Sequence, residues 1–198
     1  SKYILLLGGT AHLGNSEVIK DAAIAFENGK ITFVKNLLLQ NVDTLAFDIV
    51  LHTKNKHIYP GFIATNSTLG LMEIGAVRAT LDYKEVGKYN PNARTLTSYN
   101  TDSRITPTVR TNGILLGQIS PRGGIISGTS SVVQFDAWNW EDAKVNADEG
   151  MHMNWPSYRK INGSDKKYLQ NLEQIHSFFD KAHVYSTDNS TNLDLKLE

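Results

Sequence analysis

The sequence predicts an α/β fold, and three observations support this prediction. Asn28-Gly29 separates two short runs of apolar and β-branched residues, which is typical of a tight β-hairpin. After Pro60, short apolar strands alternate with polar connections and helical segments. Towards the end, apolar residues recur at helical spacing across residues 166–184. With 198 residues, 40% of them hydrophobic, the chain can bury one sizeable core.

The first part of the chain is typical of a small antiparallel sheet. Asn-Gly suits a turn with two positive φ angles, so Asn28-Gly29 is the expected tip of a hairpin. A second turn is expected at Lys54-Asn55, after a less regular stretch. The predicted strands are residues 3–7, 23–26, 31–34, 48–51 and 58–61.

The second part of the chain combines helices and strands. Asp102 or Ser103 can cap a short helix that ends at Gly113, and a compact strand over residues 114–119 follows. The other predicted elements are a strand at 61–65, a hairpin across 125–135, and helices at 141–153 and 166–184. The apolar stripe of the last helix consists of Tyr168, Leu169, Leu172, Ile175, His176 and Phe179.

Charge and composition exclude several classes of partner. Twenty Lys and Arg residues balance twenty Asp and Glu residues, so no net field recruits a nucleic acid or an anionic membrane. No apolar run approaches the roughly 20 residues of a membrane span. The chain has no cysteine, which excludes a disulfide framework, a thiolate metal site and a cysteine nucleophile. We expect a soluble protein, either cytoplasmic or exported with its signal peptide removed, because the chain starts at Ser1 rather than Met.

A glycine-rich run offers a dinucleotide-binding alternative. Residues 7–14 read Leu-Gly-Gly-Thr-Ala-His-Leu-Gly and resemble the turn that holds a pyrophosphate in a Rossmann fold. That fold needs a helix next, for which residues 16–25 are the candidate, and then a strand such as residues 31–34. The later chain offers long polar connections and a hairpin instead of regular βαβ units, which favours glycines that turn an antiparallel strand.

The most specific pattern lies in residues 56–71. Residues 60–70 read Pro-Gly-Phe-Ile-Ala-Thr-Asn-Ser-Thr-Leu-Gly and align without a gap on Pro-Gly-hydrophobic-Ile-Asp-x-His-x-His-Leu-Gly, the first barrel strand of amidohydrolases. Over about residues 1–145, the chain resembles the N-terminal portion of the amidohydrolase superfamily, in its imidazolonepropionase-like branch. The other matching positions are Glu73, Arg78, Asp82-Tyr83, Glu85, Asn100-x-Asp102-Ser103, residues 109–113, residues 123–128 and Trp138-x-Trp140-Glu141-Asp142.

This resemblance implies the N-terminal part of a (β/α)8 TIM-type barrel preceded by strands of a small β-sandwich. Residues 1–57 would supply the sandwich strands, and residues 58–198 the first, incomplete part of the barrel. The family implies a divalent metal that polarises a carbonyl and activates water for attack on a carbon–nitrogen bond. In its His-x-His motif, alternate residues on a strand point to one face, so both imidazoles reach the same ion.

The metal motif itself is replaced in this chain. Asn66 and Thr68 occupy the two histidine positions, and Ala64 stands where an aspartate is usual. Neutral amide and hydroxyl oxygens are poor ligands for zinc, so no metal ligand is predicted here. The resemblance places the remaining ligands for zinc, iron or manganese after residue 198. Asn66 and Thr68 are then expected to contact substrate or metal-bound water.

Other polar residues are candidates for contact with a small-molecule substrate. The carboxylates that could approach the barrel mouth are Glu73, Asp82, Glu85 and Asp102, and solvated or capping roles are their alternative. Of the residues on this connection, Glu73, Arg78 and Asp102 are the predicted substrate contacts. His176 and His183 could share a helix face without other ligands, and Ser127 has no visible partner for nucleophilic catalysis. No catalytic residue is predicted. The remaining histidines, His12, His52, His57 and His152, lie in no recognised ligand spacing.

The length of the chain bears on its partners. A closed (β/α)8 barrel needs about 250 residues, so we expect the remaining C-terminal half or a second chain to complete it. A homo-oligomer is also compatible with the sequence. Three functions follow: a metal-dependent hydrolase of carbon–nitrogen bonds other than peptide bonds, a non-catalytic amidohydrolase-like binding or assembly protein, and an NAD(P)-binding Rossmann protein.

Overall fold

The computed structural model describes residues 2–158, 165–187 and 193–197. The chain divides into two compact units, Ser1–Gly61 and Phe62–Glu198. Each unit is built around one sheet. The assignment of residues 1–57 to a β-sandwich and of residues 58–198 to a barrel stays a prediction.

The first unit contains five strands: β1 (Ile4–His12), β2 (Val18–Glu27), β3 (Lys30–Asn36), β4 (Ile49–His52) and β5 (His57–Ile58). The predicted hairpin is confirmed, because β2 and β3 pair antiparallel around Asn28 at φ 52° and Gly29 at φ 72°. The expectation of a purely antiparallel sheet is wrong. β4 and β5 both pair parallel to β1, so the sheet is mixed.

The local structure contradicts the dinucleotide-binding alternative. It requires a helix over residues 16–25, but β2 occupies Val18–Glu27 and pairs antiparallel with β1. Gly9 lies inside β1, where a Cβ atom would stand 2.8 Å from Thr53 Oγ1 and 2.9 Å from Ile58 Cδ1. This glycine therefore permits close packing within the sheet rather than a phosphate-binding turn.

Both faces of the first sheet carry apolar residues. Successive side chains of a strand point to opposite faces, so Leu5 packs with Ala23 and Ala25, whereas Leu6 packs with Ala22 and Ile24. Small alanine side chains on β2 let larger neighbours approach from both sides. The first cluster also includes Phe33, Phe47 and Val50, and the second includes Ala11, Ile19, Val34 and Ile58.

The second unit contains a sheet of order β6-β7-β8-β9, formed by β6 (Phe62–Ser67), β7 (Ile114–Ile119), β8 (Ile126–Gln134) and β9 (Lys144–Met153). β6 and β7 are parallel, and the connection between them ends in helix α1 (Ile105–Thr111). The predicted strand over residues 114–119 is confirmed. The pairs β7–β8 and β8–β9 are antiparallel, and the complete barrel stays a prediction.

Helix α1 begins after Arg104, which makes no side-chain capping hydrogen bond. The predicted cap at Asp102 or Ser103 is therefore displaced by one or two residues, although Ser103 Oγ accepts a hydrogen bond from Ile105 N at 3.4 Å. Asn112 ends the helix and Gly113 follows at φ +83°, as expected for a glycine after a helix C-terminus.

Two predicted elements of the second unit are wrong. Residues 125–135 form the single strand β8 rather than a hairpin, because this segment pairs with β7 on one side and β9 on the other. Residues 141–153 were expected to be helical, but helix α2 (Trp140–Ala143) is one turn and β9 follows at once. Pairing with β8 outweighs the helical propensity of the alanine, glutamate and methionine residues in this segment.

The predicted last helix is confirmed as α3 (Lys166–Thr187). The apolar stripe predicted for this helix is only partly buried, because Leu169, His176 and Phe179 are exposed. Ile175 is buried, and the ring of Phe178 stacks on Tyr89 at 4.4 Å and 12°. Among the described residues, no helix is long and apolar enough to cross a membrane.

The core of the second unit lies against β7 and β8. Ile119 and Val133 are fully buried in it, as is Leu71 from the connection after β6, and Tyr99 from the same connection is buried beside them. This connection therefore packs on the sheet, although it contains little regular structure. Leu96, Phe135 and Ala143 complete the buried cluster.

Candidate functional site

Asn66, which the sequence resemblance aligns with the first histidine of a metal motif, is held by an arginine. Arg122 follows the end of β7 and donates one Nη to Asn66 Oδ1 and the other to the Asn66 carbonyl oxygen, the latter at 2.5 Å. Both acceptors are neutral. The positive charge of Arg122 therefore lies next to Asn66 without a negative charge on that residue to balance it.

Asn66 also interrupts the regular pairing of β6. Ala64 pairs with Gly117, and Ser67 pairs with Ile119. Between these pairs the chain advances three residues along β6 but only two along β7. This extra residue is a β-bulge, and Asn66 has φ 51° in the left-handed region. Asparagine tolerates this region better than most residues, which suits it to the bulge.

The bulge changes the geometry that a His-x-His motif needs. The alternation of side chains along a regular strand is lost at Asn66, and Thr68 lies beyond the last residue of β6. The Thr68 carbonyl accepts from Leu71 N at 3.0 Å, and its hydroxyl makes no hydrogen bond with residues that the structure describes. Asn66 and Thr68 therefore do not form a pair on one strand face.

A chain of hydrogen bonds extends from Asn66 across the sheet. Asn66 N donates to Gln118 Oε1 at 2.9 Å, and Gln118 Nε2 donates to Glu149 Oε1 at 2.5 Å. Ser130 Oγ donates to the same glutamate oxygen at 2.7 Å. These bonds join β6, β7, β8 and β9. The hydrogen bond from Gln118, and then that from Ser130, lowers the pKa of the Glu149 carboxyl.

Glu73 lies in a separate cluster on the connection after β6. Its carboxylate accepts from Ser103 Oγ at 3.0 Å and from Asn100 Nδ2 at 3.3 Å. Asn100 Oδ1 in turn accepts from Asp102 N at 3.0 Å. Burial, and then the charge of Glu73, raises the pKa of the nearby Tyr99 to about 12. Asn100 thus brings Glu73 close to the segment that carries Asp102.

The predicted site residues do not all converge. Arg78 is exposed on a single helical turn, Arg78–Thr80, and its side chain has no hydrogen-bond partner in the described part of the chain. The Asp102 side chain is exposed. Among the described residues, no hydrogen bond links Asn66 or Thr68 to Glu73. Their joint role in substrate binding stays a prediction.

A polar cavity of about 310 Å³ lies beside the ion pair of Arg94 and Asp148. Arg94 Nε and Nη2 both donate to the Asp148 carboxylate, and Thr129 Oγ1 donates to it at 3.0 Å. The arginine is the largest influence that lowers the pKa of Asp148, with help from Thr129 against the effect of burial. Asp82, Lys84, Glu85, Asn92 and Ser127 also line the cavity.

A solved structure matches almost the whole chain. An amidohydrolase from Thermotoga maritima MSB8 superposes on 98% of this chain with a TM-score of 0.79 and 21% sequence identity. The chain shares the fold of an amidohydrolase. It covers 53% of that structure and so spans about half its length.

Two further matches to solved structures cover less than half of this chain. Molinate hydrolase gives a TM-score of 0.29 at 25% identity over 35% of this chain and 15% of its own. Ochratoxinase from A. niger gives 0.33 at 17% identity over 40% of this chain and 18% of its own. TM-scores this low do not indicate a shared fold. No protein-family model and no curated protein matches the chain.

The position of Asn66 on β6 does not fit a divalent metal ion. The Asn66 amide is neutral, and its side-chain oxygen already accepts from the Arg122 guanidinium. A divalent cation there would meet a fixed positive charge without a compensating carboxylate or imidazole. In the described ranges, His, Cys, Asp and Glu residues form no group of three or more that could hold a metal.

Sequence reasoning missed three residues of this site. Arg122 follows a predicted strand and a proline, and this position at the carboxyl end of a strand was an available signal. Gln118 lies within the predicted strand, but nothing local indicated that its side chain turns to Asn66. Glu149 was assigned to a helix, so its approach to Gln118 could not be foreseen.

The remaining candidates have local structural roles. Ser127 Oγ donates to the Gly123 carbonyl at 2.6 Å and accepts from Asn154 Nδ2 at 3.0 Å, which does not activate it as a nucleophile. His176 and His183 are both exposed on α3. His12 and His57, which lie in no recognised spacing, are in direct contact at 2.8 Å.

Proposed function

We propose that this chain belongs to a hydrolase of carbon–nitrogen bonds other than peptide bonds, in the imidazolonepropionase-like branch of the amidohydrolase superfamily. The supporting observation is the superposition of 98% of the chain on an amidohydrolase with a TM-score of 0.79. A shared fold does not determine function. Because the chain spans about half of that structure, the activity belongs to the whole protein and is part of the proposal.

Asn66 and Thr68 contact the substrate in this proposal. The oxygens of Asn66 are occupied by Arg122, but Asn66 Nδ2 makes no hydrogen bond with any residue that the structure describes. Two N–H donors thus remain for a substrate carbonyl or hydroxyl oxygen. Glu73, Arg78 and Asp102 contribute further polar contacts along the connection after β6. Arg122 positions the Asn66 amide and adds positive charge beside the bound group.

A catalytic zinc, iron or manganese ion is assigned to residues outside 1–198, because the first-strand position does not suit a cation. The same reasoning applies to the completion of the barrel. The remaining C-terminal half or a second chain supplies the other strands in this proposal, and a homo-oligomer is compatible with it.

A non-catalytic amidohydrolase-like protein is the second candidate, and the contact between Arg122 and Asn66 favours it. A guanidinium group that occupies the oxygens of a former ligand position stabilises the bulge without any metal. Such a protein would retain the fold for binding or assembly of a small molecule or partner.

Metal analysis and an activity panel on the complete protein test the proposal. We expect about one divalent ion per chain and release of amine or ammonia from a panel of cyclic and linear amides, lost on treatment with a chelator. A parallel Arg104→Ala variant, changed at an exposed side chain that makes no capping hydrogen bond, controls for handling. Protein that stays free of metal after soaking, and that turns over no member of the panel, would reject the hydrolase and favour the binding protein.

A further inference from the structure

Two histidines meet on the surface of the first unit. His12 is the last residue of β1 and His57 is the first residue of β5, which runs parallel to β1. His57 pairs with Thr10, and His12 lies two residues further along, so both imidazoles point to the same face of the sheet. His12 Nε2 and His57 Nδ1 are 2.8 Å apart.

Tyr59 fixes one of these rings. Its phenol ring stacks on His12 with a centroid distance of 4.2 Å and an interplanar angle of 9°. His12 is half-buried and His57 is exposed, so one imidazole is held in place and the other can adjust. Two ring nitrogens are therefore brought together before any ligand binds, which reduces the entropy cost of chelation.

The affinity of imidazole nitrogen for different ions indicates which metal would bind, because the 2.8 Å between the two nitrogens is a hydrogen-bond length that changes when the rings turn to an ion. Among divalent first-row ions, affinity for nitrogen ligands is highest for Cu²⁺, with Ni²⁺ next below it in the series. Square-planar and tetragonal sites with nitrogen ligands are typical of Cu²⁺ and Ni²⁺, and Cu²⁺ binds more tightly.

We propose that His12 and His57 form a two-imidazole binding site for a divalent copper or nickel ion. No third His, Cys, Asp or Glu joins these histidines in the part of the chain that the structure describes. Water or a small external ligand completes the coordination, so the ion is exchangeable. To bind it, the ring that donates the hydrogen bond changes tautomer, so that its proton moves through water to the other nitrogen of the same ring, and the exposed His57 ring tilts towards the shared ion.

Copper titration of the complete protein, saturated beforehand with zinc so that the proposed catalytic site is filled, tests this proposal, with electron paramagnetic resonance as the readout. Wild-type protein should bind Cu²⁺ with the spectroscopic signature of two imidazole nitrogens. His12→Ala and His57→Ala should each lose that signature and bind the ion on the order of 10²-fold more weakly, because chelation is lost. His52→Ala is the matched control, since His52 is exposed at the end of β4 in the same sheet and should change nothing.

His57→Asn separates loss of the site from loss of the fold. Asparagine keeps a polar group at this exposed position but is a poor copper ligand, so this variant should melt like wild type and still lose the two-nitrogen signature. The proposal is overturned if wild-type protein shows no two-nitrogen copper signal, if His57→Asn retains it, or if His52→Ala weakens binding as much as His12→Ala.

Discussion

Arg122 holds Asn66 through both of its oxygens, one on the side chain and one on the main chain. The sequence resemblance predicts that Asn66 stands at the first of the two positions where amidohydrolases carry paired histidines, and the residue lies in a bulge at φ 51°. The guanidinium thus stabilises an unusual backbone conformation and brings a positive charge to the site.

Replacement of Arg122 by Ala should lower the free energy of unfolding by about 1–3 kcal/mol, because two charge-assisted hydrogen bonds are lost. Arg122→Lys should recover little of this loss, since an ammonium group cannot reproduce the planar fork. Urea denaturation of the complete protein measures both. Arg104→Ala is the control, because Arg104 is exposed and makes no capping bond. Equal stability of Arg122→Ala and Arg104→Ala contradicts the prediction.

The backbone of Asn66 should reverse the usual order of alanine and glycine. Both substitutions remove the side-chain acceptor, but only glycine adopts positive φ without strain, so Asn66→Gly should be more stable than Asn66→Ala by about 1 kcal/mol. At the neighbouring Thr65, alanine should be more stable than glycine by about 0.5–1 kcal/mol. Thermal melting curves of the four variants measure both differences. The same order of alanine and glycine at Asn66 and Thr65 would contradict the bulge at Asn66.

Gly70 should tolerate a side chain much less than Gly29. Both have φ +72°, but a Cβ atom at Gly70 would overlap the Tyr99 ring, whereas nothing lies within 4 Å of one at Gly29. Gly29→Ala should cost about 1 kcal/mol from backbone strain alone, and Gly70→Ala about 3 kcal/mol from strain and overpacking. Denaturant unfolding measures the difference. Similar costs would show that the connection after β6 is not packed as described.

The ion pair of Arg94 and Asp148 should make stability depend on pH. Arg94 lowers the pKa of Asp148 in the folded state, so the pair stabilises the protein above the unfolded pKa and loses this effect as pH falls through the folded one. Arg94→Gln should cost up to about 1 kcal/mol at pH 7, because both side chains are partly exposed.

The difference between Arg94→Gln and wild type should begin to shrink below about pH 4, near the pKa of an unfolded aspartate, and approach zero only as pH falls through the lower pKa of folded Asp148. Urea denaturation at several pH values follows it. Arg110→Gln is the control and should cost less at pH 7, since the carboxylate of its partner Asp136 is 76% exposed. A difference for Arg94→Gln that stays constant between pH 7 and pH 3 contradicts the assignment.

Local signals were sufficient where neighbouring residues determine the structure. The Asn28-Gly29 turn specifies its hairpin through positive φ angles, and Gly113 and Pro121 bracket the buried strand β7. The last helix followed from its length and its apolar spacing. These elements depend on residues close in sequence, which a pattern can describe.

Long-range pairing explains the errors. Residues 144–153 have a composition that favours a helix, but they form β9 because β8 offers a free edge for pairing. The same pairing brings Glu149 within reach of Gln118. The position of Asn66 followed from the amidohydrolase pattern, whereas its contact with Arg122, 56 residues away, depends on the parallel pairing of β6 and β7.

A crystal structure of the complete protein after zinc soaking, with anomalous scattering at the zinc edge, tests the central assignment most directly. It should show the Arg122 guanidinium on both oxygens of Asn66 and no anomalous peak within about 2.5 Å of the Asn66 side chain. A zinc peak bound to Asn66 Oδ1, with Arg122 displaced, would contradict the conclusion that this position does not bind a metal.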